Sequence, residues 1–214
     1  MQSFMIANPK GGAGKSTLAT NLAGWFAQHG QRVMLGDIDR QQSALEWLKL
    51  RPQSLPHIAS WDIQADGPAR PPRDTTHVVL DTPAGLHGKK LAQVLKLVQR
   101  VIVPLQPSLF NILATRTFLD ALLEEKSVRR HDAFIAVVGM RVDARTRAAH
   151  ELERFLDTLG LPVLTTLRDT QNYVQAAAHG LSIFDLSPSR AEKDWEQWQP
   201  LLDWVKRPLI DVRS

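Results

Sequence analysis

Near the start of the chain, Asn8-Pro9-Lys10-Gly11-Gly12-Ala13-Gly14-Lys15-Ser16-Thr17 sets three glycines among two lysines and two hydroxyl side chains. Without Cβ atoms, glycines let successive backbone N–H groups curl toward an anion, and the positive end of a following helix adds to the attraction. That chemistry suits the phosphates of a nucleotide. Lys15 would reach the β- and γ-phosphates, and the Ser16 hydroxyl would ligate Mg²⁺. The general phosphate-loop pattern, G-x-x-x-x-G-K-[ST], is broken at its first position: Pro9 stands where glycine is expected, and Lys10 and two glycines follow. A glycine-rich turn without a ligand is the plain alternative. An apolar strand just before the loop and a helical pattern just after it argue against that.

Two acidic segments could complete such a site. Gly36-Asp37-Ile38-Asp39-Arg40-Gln41-Gln42-Ser43 follows an apolar run, and Val78-Val79-Leu80-Asp81-Thr82-Pro83-Ala84-Gly85 is an apolar strand ending in a carboxylate. An α/β sheet binds its ligand at the carboxyl ends of its strands, where Asp37, Asp39 and Asp81 would sit. Taken alone, Asp37 and Asp39 could equally cap the next helix.

The elements that must position these residues alternate short apolar runs with longer amphipathic stretches, the signature of βα units around a parallel sheet. Strands are predicted at Ser3–Ala7, Arg32–Gly36, His77–Asp81, Arg100–Pro104, Phe134–Met140 and Pro162–Thr166. Helices are predicted at Ser16–His29, closed by Gly30, at Ala144–Leu159, closed by Gly160, and at Thr170–His179, closed by Gly180. Trp61–Asp74, with three prolines and a glycine, reads as an exposed connection inside one domain spanning residues 1–214.

Composition removes several classes. The chain has no cysteine, which excludes a disulfide framework and cysteine-ligated iron–sulfur or zinc sites. Its seven histidines are scattered without ligand spacing. No apolar run approaches the roughly 18 residues of a membrane-spanning helix. The formal net charge of +4 lies in residues 1–126, with 14 Lys+Arg against 10 Asp+Glu, while residues 127–214 hold 12 of each. That permits nucleic-acid binding without establishing it.

The segment K-G-G-x-G-K-[ST], written here Lys10 to Ser16, resembles the deviant Walker A motif of the ParA/MinD family of ATPases. Asp37 to Gln41 resembles the family's switch I, usually Asp-x-Asp-Pro-Gln, with Arg40 in place of proline. Val78 to Asp81 resembles its Walker B strand, with switch II following. With Val101-Ile102-Val103-Pro104…Pro107-Ser108 and Arg168…Tyr173…Gly180, the likeness covers nearly the whole chain. It is strongest to the short plasmid-type ParA proteins, and with a first strand near Ser3 no N-terminal DNA-binding domain is expected.

The resemblance implies an α/β P-loop NTPase, a doubly wound, mainly parallel sheet with helices on both faces. It implies ATP and Mg²⁺ as ligands: Gly11, Gly12, Ala13, Gly14, Lys15, Ser16 and Thr17 around the phosphates, with Ser16, Asp37 and Asp81 at the metal. Lys10 would act on the nucleotide of a facing copy in a homodimer, Lys15 on its own, and Asp39 would position the attacking water. Arg141 and Arg168 would lie near adenine, and Arg168, Arg190 and Lys193 would contact DNA without sequence preference. The implied activity is slow ATP hydrolysis stimulated by a ParB-like or cargo adaptor, in the cytoplasm and on the nucleoid, positioning a plasmid, chromosome region or protein cluster. A MinD-like membrane-positioning ATPase and a metabolic ligase on the same fold remain open alternatives.

The C-terminal stretch from Trp195 to Pro208 spaces its apolar residues mostly at three and four. Pro200 should divide it. Its Glu and Asp residues leave no strongly basic face for anionic lipid, so a helix pair packing on the sheet is expected rather than a membrane contact.

Overall fold

Every residue from Ser3 to Ile6 is buried, as expected of a strand covered on both faces and not of one with a wet side. The computed structural model, which describes residues 1–61, 63–64, 67–68 and 71–209, places this strand, β1 (Gln2–Ile6), in the middle of a parallel sheet. Helix α1 (Lys15–Gln28), strand β2 (Val33–Asp37), helix α2 (Ser43–Leu50) and strand β3 (Ile58–Trp61) follow. Two short segments, β4 (Ile63–Gln64) and β5 (Gly67–Pro68), pair antiparallel as a separate ribbon. The chain then runs through β6 (His77–Asp81), α3 (Gly88–Leu95), β7 (Arg100–Leu105), α4 (Leu109–Glu124) and α5 (Lys126–Arg129). It ends with β8 (Phe134–Gly139), α6 (Arg147–Leu156), β9 (Val163–Thr166), α7 (Gln171–Ala177), a 3-10 turn (Ile183–Asp185) and α8 (Pro188–Lys206).

The seven-stranded sheet has the order β3-β2-β6-β1-β7-β8-β9 and all its pairings are parallel. Alternation along β1 sends Phe4 and Ile6 to one face and Met5 and Ala7 to the other. Phe4 and Ile6 join Leu18, Leu22, Phe26, Trp47, Trp198 and Leu202. Met5 and Ala7 join Leu91, Leu95, Phe118, Leu119 and Leu152. Helices α1, α2 and α8 therefore cover one face, and α3, α4 and α6 the other. The doubly wound, mainly parallel architecture expected from the sequence is the one observed.

Three expectations need correcting. The sheet gains an edge strand, β3, inside a stretch that the sequence reading left without a strand. The connection expected over Trp61–Asp74 contains the β4–β5 ribbon, while its residues 62, 65, 66, 69 and 70 lie outside the described residues. Pro200 does not divide the C-terminal helix: α8 runs unbroken through it. Removing one helical N–H and crowding the carbonyl a turn back costs about 3 kcal/mol. Burying Trp198, Leu201, Leu202 and Val205 on the sheet returns about 2 kcal/mol each, so tertiary packing prevails over the local rule. Among the described residues no helix is long and apolar enough to cross a membrane.

Candidate functional site

The α1 N-terminus differs from those of α4, α6 and α7. Ser108, Thr146 and Thr170 accept a backbone N–H at the starts of α4, α6 and α7. Helix α1 instead begins after Gly14, in the left-handed region at φ 98, and has no side-chain cap. Its first N–H groups are left for an external acceptor, and the helix dipole makes that acceptor an anion. At Gly14 that φ favours glycine, and a Cβ there would also lie 2.8 Å from Met140 Cε. Gly12, at φ +74, faces open space, as does Gly11. The loop is therefore a cradle shaped by backbone, with room beside it for a phosphate chain.

Lys15 is buried, and its ammonium donates to the Lys10 carbonyl at 2.9 Å. Burial holds its pKa below the usual lysine value, partly opposed by Asp81 and Asp39. Across from it the Ser16 hydroxyl donates to Asp81 Oδ2 at 2.5 Å. Burial pushes the Asp81 carboxyl up to about 7 and raises Asp37 as well. Strands β2 and β6 set these two carboxylates directly side by side in the sheet, Asp37 opposite Asp81. Asp37 accepts the backbone N–H groups of Asp39 and Ala44, at 2.9 and 2.8 Å, and so fixes the turn that carries Asp39.

A buried ammonium and two buried carboxyls, all three shifted toward their neutral forms, describe a site short of counterions. Phosphate oxygens would relieve the first, and a divalent cation the second. Among the described residues no group of three or more His, Cys, Asp or Glu could hold a metal by itself. That suits Mg²⁺, which is usually held by one or two carboxylates together with substrate phosphates. Ser16 and Asp81 would hold it, with Asp37 alongside.

The remaining expected residues fall into two places. Strands β8 and β9 are neighbours, and Val142 N–H donates to the Leu167 carbonyl, so the loops bearing Arg141 and Arg168 come together. Met140 brings this pair of loops against Gly14, the side where a base would lie. Arg168 is already engaged, its Nε donating to Asp194 Oδ1 at 2.6 Å, and Asp194 is fully buried. Arg190 and Lys193 are exposed on α8. Arg190 donates to Gln175 Oε1 and its carbonyl accepts from Asn172, which also binds Asp194. Of the three cations expected at DNA, Arg168 is thus tied inward to a buried carboxylate, and Arg190 and Lys193 are exposed.

Sequence reasoning missed two residues that shape the loop. Gln106 donates from Nε2 to the Gly12 carbonyl at 2.7 Å, and Asn8, 2% exposed, accepts the Lys10 N–H at 2.8 Å. Asn8 stood inside the glycine-rich motif, and Gln106 follows the Val101–Pro104 run. Their partners 94 or more positions away, Gly12 for Gln106 and Pro104 and Thr115 for Asn8, leave no mark in the linear pattern.

A family model described as the CobQ/CobB/MinD/ParA nucleotide binding domain matches residues 4–183. The chain belongs to this family. Within it, the maintenance of carboxysome distribution protein A of Gloeobacter kilaueensis is 31% identical over 215 residues, covering 94% of each chain. The ATP complex of an Asp-to-Ala variant of Cyanothece McdA aligns with a TM-score of 0.72 at 14% identity, over 94% of this chain and 96% of that one. A putative plasmid partition protein of Borrelia burgdorferi B31 bound to AMPPNP aligns at 0.68 and 18%, over 95% and 99%. The chain is a ParA/MinD-like ATPase related to carboxysome-distribution and partition proteins.

Proposed function

We propose that this ATPase is a nucleotide-switched positioning protein. Two copies close around two Mg·ATP, hydrolyse them slowly, and in the ATP-bound dimer hold duplex DNA without sequence preference. A cargo engaged through an adaptor protein is then spaced along the nucleoid, and the adaptor stimulates hydrolysis. The names of the relatives point to a large body as cargo, a plasmid or a protein cluster such as a carboxysome.

The observation that carries this reading is the opposite exposure of two lysines on one loop. Lys15 is buried against its own phosphate cradle, while Lys10 is exposed. A single active site needs only the first. A lysine turned outward at the mouth of the cradle suits the phosphates of a facing copy, where positive charge offsets the spread negative charge of phosphoryl transfer. Asp39, on the turn fixed by Asp37 and within electrostatic reach of Lys15, orients the attacking water. Mg²⁺, when bound, neutralises phosphate charge.

Arg190 and Lys193 supply the DNA contacts, doubled on one particle by dimerisation. A MinD-like membrane role is the rival, and α8 answers it poorly, because Glu192, Glu196 and Asp203 are exposed among its cations. A metabolic ligase would show turnover that depends on a small substrate. The deciding experiment is fluorescence anisotropy of a random-sequence duplex with ATP and with ADP at several salt concentrations, beside sedimentation with anionic liposomes. Salt-dependent DNA binding with ATP alone is expected. ATP-dependent liposome binding without DNA binding would transfer the protein to the membrane class.

A further inference from the structure

We infer that Asn8 is a positioning residue that sets where Lys10 is presented to the facing nucleotide, with Thr115 on α4 as its second anchor. The inference rests on the trans role of Lys10 given above. Asn8 is 2% exposed and its amide is fully used: Oδ1 accepts the Lys10 N–H at 2.8 Å, and Nδ2 donates to the Pro104 carbonyl at 2.7 Å and to Thr115 Oγ1 at 2.9 Å. The orientation is forced, because the Lys10 N–H can only donate and the Pro104 carbonyl can only accept. Thr115, itself fully buried, lies 107 positions away.

The local chain makes this staple consequential. Pro9 has no N–H and a fixed φ, and its carbonyl accepts from Gly85 at 3.1 Å. Immediately after Lys10 come Gly11 and Gly12, which meet nothing within 4 Å of where a Cβ would stand. Lys10 therefore sits at the junction between a segment fastened to the sheet and an uncrowded glycine segment that Gln106 holds at the Gly12 carbonyl. An Asn side chain closing on the N–H two residues on is a standard local turn. Here the same amide also bolts that turn to β7 and α4. Without it the Lys10 N–H and the Pro104 carbonyl both lose a partner, and the backbone bearing Lys10 loses its tie to β7 and α4. Lys15 stands on the first turn of α1 and meets this segment through its ammonium on the Lys10 carbonyl. That bond does not involve Asn8, so its own nucleotide should be little affected.

The test is a double-mutant cycle on the full chain, reading the ATP-dimer dissociation constant by sedimentation and ADP affinity with a fluorescent analogue. Asn8→Ala should weaken the ATP dimer by about tenfold or more while ADP affinity stays within about threefold, and Asn8→Ala with Lys10→Ala should be no weaker than Lys10→Ala alone. A merely structural residue would give additive losses. Additive losses, an unchanged Asn8→Ala dimer, or a parallel fall in ADP affinity would overturn the inference. If Lys10→Ala itself dimerises normally, the trans-lysine reading fails and takes this inference with it; a normal Lys10→Ala defect with additive Asn8→Ala sinks this inference alone. Should Asn8→Ala not fold, Thr115→Val removes one anchor with little change of shape. It should weaken the wild-type dimer by about threefold and the Lys10→Ala dimer not at all; equal effects in both backgrounds, or none in the wild type, overturn the inference.

Discussion

The Ser16 hydroxyl donates to a carboxylate oxygen of Asp81 at 2.5 Å, joining the first turn of α1 to the end of β6. Burial lifts Asp81 from 3.8 to about 7. Between those values the native state keeps a proton that the unfolded chain has released, so stability falls as pH rises through that window and levels off above it. Without nucleotide or Mg²⁺, Asp81→Asn should melt at least about 3 °C above wild type at pH 8, with the gap closing as pH falls toward 3.8. Thermal melts across pH check this. A gap that does not change with pH would mean the Asp81 charge is not what the native state resists.

Asp39 should govern turnover rather than binding. Asp39→Ala should retain ATP, accumulate as the dimer, and lose about two orders of magnitude in hydrolysis rate. Phosphate release under saturating Mg·ATP is the measurement, and unchanged turnover would pass the role to Asp37.

For DNA, the structure changes which substitutions are informative. Arg168→Glu would set a second carboxylate against buried Asp194 and disturb folding. Arg190→Glu with Lys193→Glu alters only exposed side chains and should abolish DNA binding with ATP-dependent dimerisation intact. In wild type, log affinity should fall with log salt by about 0.9 per phosphate contact. A double variant that binds DNA normally would remove α8 from the interface.

Stability has its own test at Arg51, whose guanidinium meets Asp185 at 3.0 Å with both side chains buried. Asp185 sits below its usual pKa: burial alone would raise it, and the Arg51, Ser182 and Gln28 hydrogen bonds more than reverse that. Arg51→Ala leaves this carboxylate uncompensated and should cost about 3–5 kcal/mol in urea unfolding. A loss under about 1 kcal/mol would show that water or a rearranged neighbour takes the arginine's place.

Much of this was legible in the linear chain where function and local pattern coincide. The phosphate loop, Asp37, Asp39 and Asp81 lie at strand ends, and His77–Asp81 is a strand with the bounds its apolar run suggests. Strand β3 was not legible: Ile58-Ala59-Ser60-Trp61 is four residues without alternation, and it becomes a strand through pairing with β2. Pro200 misled because the local rule carries no information about the Trp198 and Leu202 contacts that override it. The Arg168–Asp194 and Asn8–Thr115 pairings are tertiary, and no spacing in the sequence announces them.

The central claim is that ATP, through an outward-facing Lys10, joins two copies of the chain. Sedimentation velocity of wild type and Lys10→Ala, each with Mg·ATP and with Mg·ADP, tests it most directly. With ATP, wild type should be dimeric at micromolar chain concentration. ATP-bound Lys10→Ala should stay monomeric there and associate only at much higher concentration, and neither should dimerise with ADP. A wild type that stays monomeric with saturating ATP, or a Lys10→Ala variant that dimerises as wild type does, would contradict it.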